Sequence, residues 1–342
     1  MLVILENLKL TAFRGMADVK LEDLAPVSIA FGDNNAGKSS ILEAAALSLR
    51  PHDPSQWVQV ARQRDTDISL VDGLWSLFPA DVPLSVDEGP KQTKPLRLHG
   101  RLARSERELS AHALASLDWD SETAGDLNLQ VICSVDGVRH TMEFRRKEPA
   151  RFGNEITFYR CFTVTSASHR STRTLVEHLS RAIDEGEKPL ALELLRLFDP
   201  EVADIDVSAS QGREGVRITH HTRKVVDLSS FGDGMRRAAV LALALVRAKG
   251  GLLLIDELEA GIHPQILPTL LSRLFDAARA ADVQIIATTH SLDAIDAVIS
   301  AVRDTPDVAS SYYLRRGPQG HSVRRYSQDE LISLRESGVD LR

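Results

Sequence analysis

Residues 32–39 fit the pattern G-x-x-x-x-G-K-[ST], the loop that wraps the phosphates of a nucleotide. An apolar run at 27–31 precedes this loop, and good helix formers follow it at 40–47. This order of strand, loop and helix predicts a P-loop that binds ATP or GTP. A glycine-rich surface turn is the less favoured alternative.

Each residue type in the loop has its own part in binding phosphate. The glycines let backbone N–H groups close on the phosphates, Lys38 neutralises charge at the β and γ positions, and Ser39 offers its hydroxyl to Mg²⁺. The cofactor-binding residues predicted here are Asn34, Asn35, Gly37, Lys38, Ser39 and Ser40.

A second motif lies at 252–257, where four apolar residues lead into two carboxylates. Such a run is typical of a central parallel strand, and acids at its carboxyl end lie at the sheet edge where ligands bind. We therefore predict a Walker B strand, in which Asp256 holds Mg²⁺ through water and Glu257 polarises the attacking water; the predicted metal residues are Ser39 and Asp256. The alternative is a pair of acids that complements a helix N-terminus.

A further buried strand is predicted at 283–290, and it ends in a histidine. The interval 264–281 has apolar residues at helical spacing, so one amphipathic helix connects the two strands. His290 is therefore predicted on the strand beside Asp256, where it can hydrogen-bond the γ-phosphate or the attacking water. A core histidine is the alternative.

Residues 228–237 form a turn rich in serine and glycine before a helix that runs to about Lys249. Such a helix start is a second anion site, which has an obvious use only if it meets the nucleotide of another protomer. The alternative is an ordinary helix start with Ser230 as its N-cap.

The order of these motifs along the chain resembles that of the ABC-type ATPase superfamily. The sequences at 32–44, 228–237, 252–264 and 287–291 look like those of the ATPase domain of the OLD (overcoming lysogenization defect) group, which is similar to SMC- and RecF-type ATPases. Residues 8–15 are similar to the opening strand of that group. The resemblance implies an α/β P-loop NTPase of the ABC-ATPase head type, with a mixed sheet, an antiparallel β lobe and a short helical insertion.

The resemblance also implies roles for residues outside the P-loop. Ser230, Gly232 and Gly234 would form the signature that closes on the γ-phosphate of an opposing protomer, Arg14 would contact the nucleotide, and 260–264 would line the dimer seam. The implied cofactors are ATP and Mg²⁺, and the implied assembly is a homodimer or a higher even-numbered oligomer.

Three departures from the family pattern stand out. The chain has Asp-Glu-Leu-Glu at 256–259 where many relatives have Asp-Glu-Pro-Glu, which should relax the following turn. No glutamine is assigned to the Mg²⁺-linking loop, because Gln56, Gln59 and Gln63 lie early and 162–169 offers hydroxyls instead. Only 52 residues follow His290, too few for a TOPRIM nuclease domain, so we expect no nucleic-acid cleavage by the chain itself.

The motifs require one sheet across the chain, so 1–342 is predicted as a single head. Within it we predict a P-loop and antiparallel β lobe (1–165), a helical insertion (166–200), a signature, Walker B and His-loop lobe (201–310), and a C-terminal hairpin and tail (311–342). Antiparallel strands are predicted at 97–104, 128–135 and 138–145, a helical pair at 171–198, and loops at 50–96. No sustained heptad run occurs, so any helical protrusion is short.

A net charge of −7, two cysteines and the lack of an 18-residue apolar span favour a soluble cytoplasmic chain that does not enter a membrane. The acidic balance does not indicate general nucleic-acid binding, although basic clusters occur at 145–147, 236–237, 315–316 and 324–325. His220 and His221 have no carboxylate or cysteine at ligand spacing, so we predict a hairpin edge there and not a metal site.

Three functions remain open at this point. The favoured one is a dimeric ATP switch that controls a separate effector, a nuclease or toxin, in phage defence or DNA maintenance. The alternatives are a DNA-binding repair ATPase of RecF type and, less favoured, the ATP-binding subunit of a transporter, whose signature normally follows the P-loop more closely than Ser230 follows Lys38 here.

Overall fold

The computed structural model of the protein describes residues 3–64, 68–79, 91–92, 96–102, 105–118, 126–145, 159–210, 213–318 and 320–339. The strands in these ranges are β1 (Leu5–Ala12), β2 (Val19–Leu21), β3 (Val27–Gly32), β4 (Lys91–Gln92), β5 (Leu96–Leu102), β6 (Ser105–Asp118), β7 (Asp126–Val135), β8 (Val138–Arg145), β9 (Cys161–Val164), β10 (Val202–Ser210), β11 (Arg213–His220), β12 (Lys224–Asp227), β13 (Leu252–Ile255), β14 (Gln284–Thr289), β15 (Ala309–Gly317) and β16 (Gly320–Ser327). The helices are α1 (Lys38–Leu49), α2 (Pro54–Arg62), α3 (Leu70–Trp75), α4 (Thr172–Asp184), α5 (Lys188–Arg196), α6 (Asp233–Arg247), α7 (Leu267–Ala280), α8 (Leu292–Val302) and α9 (Gln328–Glu336).

The central sheet has the strand order β16-β15-β3-β14-β13-β9 and is parallel except for β16. Every residue of β13 and β14 is buried, which explains the continuous apolar character of β13 and of 285–287 in β14. The P-loop follows β3, the two acids follow β13 and His290 follows β14, so all three motifs lie at the same edge of one sheet. The prediction that the P-loop and Walker B strands share a sheet is confirmed.

The central sheet separates two hydrophobic cores. Along β13, Leu252 and Leu254 contribute to the core that contains α1 and the first sheet, whereas Leu253 and Ile255 contribute to the core that contains α6 and α7. This alternation is the two-residue period of a strand covered on both faces. The mixed α/β architecture expected from the sequence is confirmed.

The antiparallel lobe is a seven-stranded sheet in the order β2-β1-β5-β6-β7-β8, with β4 paired to β6. The predicted strands 128–135 and 138–145 lie within β7 and β8, and the two-residue turn between them has positive φ at Asp136 (51°) and Gly137 (81°). The predicted strand 97–104 corresponds to β5, although 103–104 lie outside the described residues, and β6 was not predicted.

The predicted helical pair is also present, as α4 and α5, and both helices are short. They precede the three-stranded sheet β10-β11-β12. The boundaries drawn at 165, 200 and 310 remain predictions.

The prediction of loops over 50–96 is wrong for 54–62 and 70–75, where α2 and α3 form. The missed signals are local. Asp53 caps α2 by accepting a hydrogen bond from the Ser55 backbone, Pro54 follows it, and Ser69 caps α3 in the same way. Trp57 lies fully buried on α2 and anchors it to the core. Residues 80–90 lie outside the described residues.

The buried side chain of Gln284 joins the first sheet to the central sheet. Its Oε1 accepts hydrogen bonds from the backbone N–H groups of Ile4 and Leu5, both at 2.9 Å. Its Nε2 donates to the carbonyls of Leu5 at 2.9 Å and Ala25 at 3.2 Å. One amide therefore satisfies four buried backbone groups where the two sheets meet. No helix in the described ranges is long and apolar enough to cross a membrane.

Candidate nucleotide-binding site

The P-loop leaves β3 and enters α1 through two residues of positive φ, Asn35 (61°) and Gly37 (90°). Gly37 is the N-cap of α1, and no side chain caps this helix end. The first backbone N–H groups of α1 therefore have no side-chain acceptor. They form the positive end of the helix dipole, and such a helix end can bind a phosphate.

Lys38 begins α1 and is buried, with 5% of its surface exposed. Its ammonium donates hydrogen bonds to the carbonyls of Gly32 and Asp33, each at 2.7 Å. Burial lowers the pKa of Lys38 to about 8, against the opposing attraction of Asp33 and Asp256. The loop thus holds a cation whose charge is costly without a nearby anion, as a phosphate-binding lysine requires.

Ser39 and Asp256 meet across 217 residues of sequence. The Ser39 hydroxyl donates to the Asp256 carboxylate, with Oγ at 3.1 Å from Oδ1 and 3.2 Å from Oδ2. Thr288 fixes the carboxylate from β14, because its hydroxyl donates to Asp256 Oδ1 at 2.6 Å. A hydroxyl and a carboxylate in contact are hard oxygen donors of the kind that Mg²⁺ prefers, so the predicted metal pair fits that ion.

Glu257 follows β13 in an uncommon backbone conformation, with φ of 50°. Its backbone N–H donates to Thr288 Oγ1 at 3.0 Å, so one threonine orders both acids. Leu258 is buried, and its N–H donates to the Thr288 carbonyl at 2.9 Å. Proline has no N–H to make this bond. The expectation of a relaxed turn is therefore wrong, because leucine at 258 ties the turn to β14.

His290 is exposed at the end of β14, and its side chain lines the nucleotide cleft described below. Glu259 orders this strand end. One carboxylate oxygen accepts the His290 backbone N–H at 3.0 Å, and the other accepts the Thr289 hydroxyl at 2.8 Å. The second glutamate of the motif thus holds the backbone that carries His290.

Arg237 was not among the predicted site residues, yet it ties together three parts of the site. It lies on α6, fully buried, and donates to the carbonyls of Asp256 (2.9 Å), Glu257 (3.0 Å) and Thr165. Burial lowers its pKa to about 10, opposed by the carboxylates of Asp256 and Glu257. The sequence signal was present only as the second arginine of a basic pair after the signature turn.

A cleft of about 590 Å³ opens over the P-loop. It is lined by Arg14, Gly15, Met16, Asn34, Asn35, Ala36, Gly37, Lys38, Ser39, Ser40, Arg64, His290, Arg316 and His321. The structure therefore brings the predicted P-loop residues, Arg14 and His290 together around one space. Its volume falls within the range of small-molecule and cofactor pockets.

Two arginines at this cleft share the buried carboxylate of Glu43. Arg14 Nε lies 2.6 Å from Glu43 Oε2 and Arg64 Nε lies 2.7 Å from Oε1. Arg64 also donates to the hydroxyl of Ser40 at 2.8 Å, so the predicted phosphate ligand Ser40 is buried and already engaged. Two cations against one carboxylate leave a net positive charge at the cleft. Arg64, like Arg316 and His321 from the C-terminal hairpin, has no local motif that could have marked it.

The signature turn lies outside this cleft. Ser230, Gly232 and Gly234 are absent from its lining within the described chain, and Ser230 and Gly232 are exposed. The N-cap of α6 is Gly232, with no side-chain cap, so the alternative in which Ser230 caps the helix is wrong. The Asp233 side chain lies close to Gly261, so the turn and the loop 260–264 share one exposed face.

The segment after β9 does not supply a metal ligand in an obvious way. The hydroxyls of Thr165 and Ser168 lie 3.0 Å apart and bond to each other. Gln56, Gln59 and Gln63 are all absent from the described lining of the nucleotide cleft.

His220 corrects the sequence analysis in one respect. It lies at a hairpin edge as predicted, but it has a carboxylate partner, because Nε2 lies 3.0 Å from Asp199 Oδ2. Asp199 was missed because it comes 21 residues earlier in the chain. The described residues hold no group of three metal-ligating side chains. The basic pair at 146–147 lies outside the described residues.

The family described as "AAA domain, putative AbiEii toxin, Type IV TA system" matches residues 31–296, well over half of the chain and all of the motifs from the P-loop to His290. The chain belongs to this family. It is similar to the uncharacterized protein MJECL11 of Methanocaldococcus jannaschii, with 32% identity over 113 residues, which are 33% of this chain and 99% of that protein. A second protein of that organism, MJECL10, is 51% identical over 45 residues, which are 13% of this chain and 20% of that protein. The chain thus spans only about a fifth of the length of MJECL10.

The fold is similar to that of SMC heads. The SmcHead bound to the C-winged helix domain of ScpA superposes with a TM-score of 0.54 and 11% identity, covering 95% of this chain and 99% of that one. The Smc head domain with an extended coiled coil, bound to the C-terminal domain of ScpA derived from Pyrococcus furiosus, gives 0.50 and 11%, covering 98% and 99%. At this identity the likeness concerns the fold alone. The predicted ABC-type P-loop ATPase head is confirmed, whereas the OLD branch remains a prediction.

Proposed function

We propose that the protein is an ATP-hydrolysing switch in which two heads close on two nucleotides and thereby regulate a separate effector, a nuclease or toxin, in phage defence or DNA maintenance. One observation carries the proposal. The P-loop and the Walker B acids meet through Ser39 and Asp256, whereas the signature turn at Ser230 and Gly232 is exposed and outside that cleft. A second anion-binding helix start then has a use only across a dimer seam.

The residues divide the work of hydrolysis as follows. Lys38 and the uncapped start of α1 would hold the phosphates, and Ser39 and Asp256 would hold Mg²⁺, which would supply positive charge to the phosphates. Glu257 orients the attacking water and accepts its proton, and His290 hydrogen-bonds the γ-phosphate or that water. The signature turn of the second protomer completes the site.

The chemical half of the proposal is tested with Glu257→Gln. This change keeps the size of the side chain but removes its basicity, so nucleotide binding should remain and turnover should fall by about a hundredfold or more. Lys38→Ala should instead abolish binding. A Glu257→Gln protein that hydrolyses ATP at the wild-type rate would show that another group is the base.

The assembly half is tested with Ser230→Arg, which places bulk and charge at the signature turn. It should leave nucleotide binding by the single chain intact and remove both ATP-dependent association and hydrolysis. Ser300→Arg, an equal change at an exposed position on α8, is the matched control and should behave as wild type. Light scattering of the Glu257→Gln protein with and without Mg-ATP measures association, which should be strongest when hydrolysis is blocked.

A constitutive dimer held by other surfaces would mask a change of mass. A cross-link between a cysteine at position 230 and one beside Lys38 then decides the matter, because it should form between chains and only with ATP. A cross-link within one chain, or none, contradicts the two-headed switch.

The effector is sought by native purification. The Glu257→Gln protein in Mg-ATP should retain the effector differently from the Ser230→Arg protein, since only the former closes. Salt-sensitive binding of DNA by the purified chain, with no protein partner, would favour the RecF-type alternative instead.

A further inference from the structure

A second cleft lies at the far end of α1 from the P-loop. Its volume is about 630 Å³, slightly larger than that of the nucleotide cleft. The 12 residues of α1 separate the two by about 18 Å at 1.5 Å per residue. Residues after α1, the start of β9, the middle of α4 and the end of α6 form its walls. No residue lines both clefts within the described chain.

The charge of this second cleft opposes that of the chain as a whole. Four arginines line it, namely Arg50, Arg160, Arg181 and Arg247. The carboxylates among its lining residues are Glu177 and Glu185, so the wall carries a formal charge of +2 (four minus two). The chain carries −7. A concave surface of this kind focuses a positive potential into the cleft.

Three polar atoms at this surface are buried and have no hydrogen-bond partner within the described chain: Arg50 Nε, His178 Nδ1 and Arg247 Nη1. Arg247 is the most informative, because only 9% of its side chain is exposed. The nearest carboxylate oxygen, Glu177 Oε1, lies 3.8 Å from Nη1, beyond hydrogen-bond distance. A buried N–H group without an acceptor is costly, so the site is built for an acceptor that the described protein does not provide.

The guanidinium of Arg247 is held in place by an aromatic ring. It lies 4.5 Å above the centroid of Phe162, and His178 packs edge-on against the same ring at 6.1 Å. Stacking on Phe162 fixes the plane of the guanidinium while leaving Nη1 free to donate. The cation is therefore preorganised, and a ligand does not have to order it on binding.

The protein pairs two of these arginines at long distance only: Arg50 Nη1 lies 3.4 Å from Asp53 Oδ2, and Arg247 Nη1 lies 3.8 Å from Glu177 Oε1. Burial lowers the pKa of Arg247, and the charge of Arg181 lowers it further. Burial and Arg247 also lower the pKa of His178 to about 4, so this imidazole is neutral at physiological pH and adds no positive charge to the cleft. A polyvalent anion relieves the repulsion among these cations, whereas a neutral ligand does not.

We propose that this second cleft binds a phosphate-bearing small molecule of about nucleotide size. Arginine matches phosphate with its fork of donors, and four arginines around one space match a group with several charged oxygens better than a single carboxylate. The volume accommodates an organic portion, for which Phe162 supplies an apolar wall. This proposal concerns a site apart from the P-loop and does not depend on the proposed switch.

The test uses the full chain carrying Lys38→Ala, so that the P-loop no longer contributes. Inorganic pyrophosphate and ADP are titrated calorimetrically as probes, and one site per chain is expected. Arg181→Glu, an exposed position on α4, should then weaken pyrophosphate binding tenfold or more. Arg173→Glu is the matched control, because it makes the same charge change at another exposed position of α4 outside the cleft and should bind as the parent does.

The outcomes separate the proposal from its competitors. Because Arg181 is exposed, the variant should unfold at the temperature of the control, so a loss of binding reports on the site and not on folding. No binding of pyrophosphate or ADP to the Lys38→Ala protein overturns the proposal, as does equal weakening by both substitutions. Binding of a short single-stranded oligonucleotide that Arg181→Glu abolishes, without binding of pyrophosphate, would assign the cleft to nucleic acid and also overturn it.

Discussion

Thr288 offers the sharpest single-atom test of the proposed catalytic centre, because one hydroxyl contacts both acids. It donates to Asp256 Oδ1 at 2.6 Å and accepts the Glu257 backbone N–H at 3.0 Å. Thr288→Val removes the hydroxyl and keeps nearly the same shape. The first bond involves a charged partner and contributes about 1.5–3 kcal/mol, and the orphaned N–H costs about 1–3 kcal/mol. Because the neighbourhood can relax, we expect the free energy of unfolding to fall by about 2–4 kcal/mol.

The same substitution should slow hydrolysis more than it weakens nucleotide binding. Without the hydroxyl, Glu257 is no longer fixed in its positive-φ conformation, and Asp256 loses the donor that orients its carboxylate. A loss of about 1.4 kcal/mol of transition-state stabilisation lowers turnover about tenfold, and we expect at least that. Affinity for ADP without Mg²⁺ should stay near the wild-type value, because the P-loop is untouched.

Urea unfolding and steady-state ATP hydrolysis measure the two effects. Thr163→Val is the matched control, because Thr163 lies in the same sheet, on β9 beyond β13, and its hydroxyl makes no hydrogen bond within the described residues. The control should stay within about 0.5 kcal/mol of the wild type in stability, as substitutions away from special contacts do. If Thr288→Val matches the control in both stability and turnover, the hydroxyl does not organise the two acids and the reasoning is refuted.

Three further predictions follow from buried polar groups. With the pKa of Lys38 at about 8 against 10.5 for an unfolded chain, the affinity for Mg-free ADP should be constant below pH 8 and fall between pH 8 and 10, where binding must take up a proton; a flat profile to pH 10 contradicts it. Arg237→Met should lower turnover about tenfold, because the carbonyls of Asp256 and Glu257 lose their shared donor; wild-type turnover contradicts it. Gln284→Leu should lower the free energy of unfolding by about 3–5 kcal/mol, since four backbone groups lose a partner, without changing ADP affinity; a loss below about 1 kcal/mol in urea unfolding contradicts it.

The sequence predicted those parts of the site that come directly after a buried strand. A buried strand is a run of apolar letters, and the residues after it lie at the carboxyl edge of the sheet wherever the strand falls in the order. Lys38, Asp256 and His290 were therefore placed at one edge from local patterns separated by more than 200 residues. The helical pair and the β7–β8 hairpin are also predicted by local patterns, because the turns within them carry their own sequence signals.

The sequence did not predict contacts between distant side chains that belong to no local motif. Arg64 follows α2, which lies in a segment where the sequence predicted loops. Its position at the cleft is evident only from the ion pair between its guanidinium and Glu43. Arg316 belongs to a basic cluster with no binding motif around it, yet the register of β15 beside β3 brings it to the cleft. The second cleft is assembled from four separate segments, so no window of the sequence contains it.

In the proposed dimer, α6 would connect the signature turn to the two acids of the site. The helix begins at the exposed signature turn, and one turn later Arg237 donates to the backbone of Thr165, Asp256 and Glu257. Because these charge-assisted bonds join α6 directly to the backbone of the two acids, a shift of α6 along β13 stretches them. A contact at Ser230 that displaces α6 therefore displaces the carbonyls of the two acids as well. In the proposed switch, the position of Glu257 would then depend on whether a second head engages the signature turn.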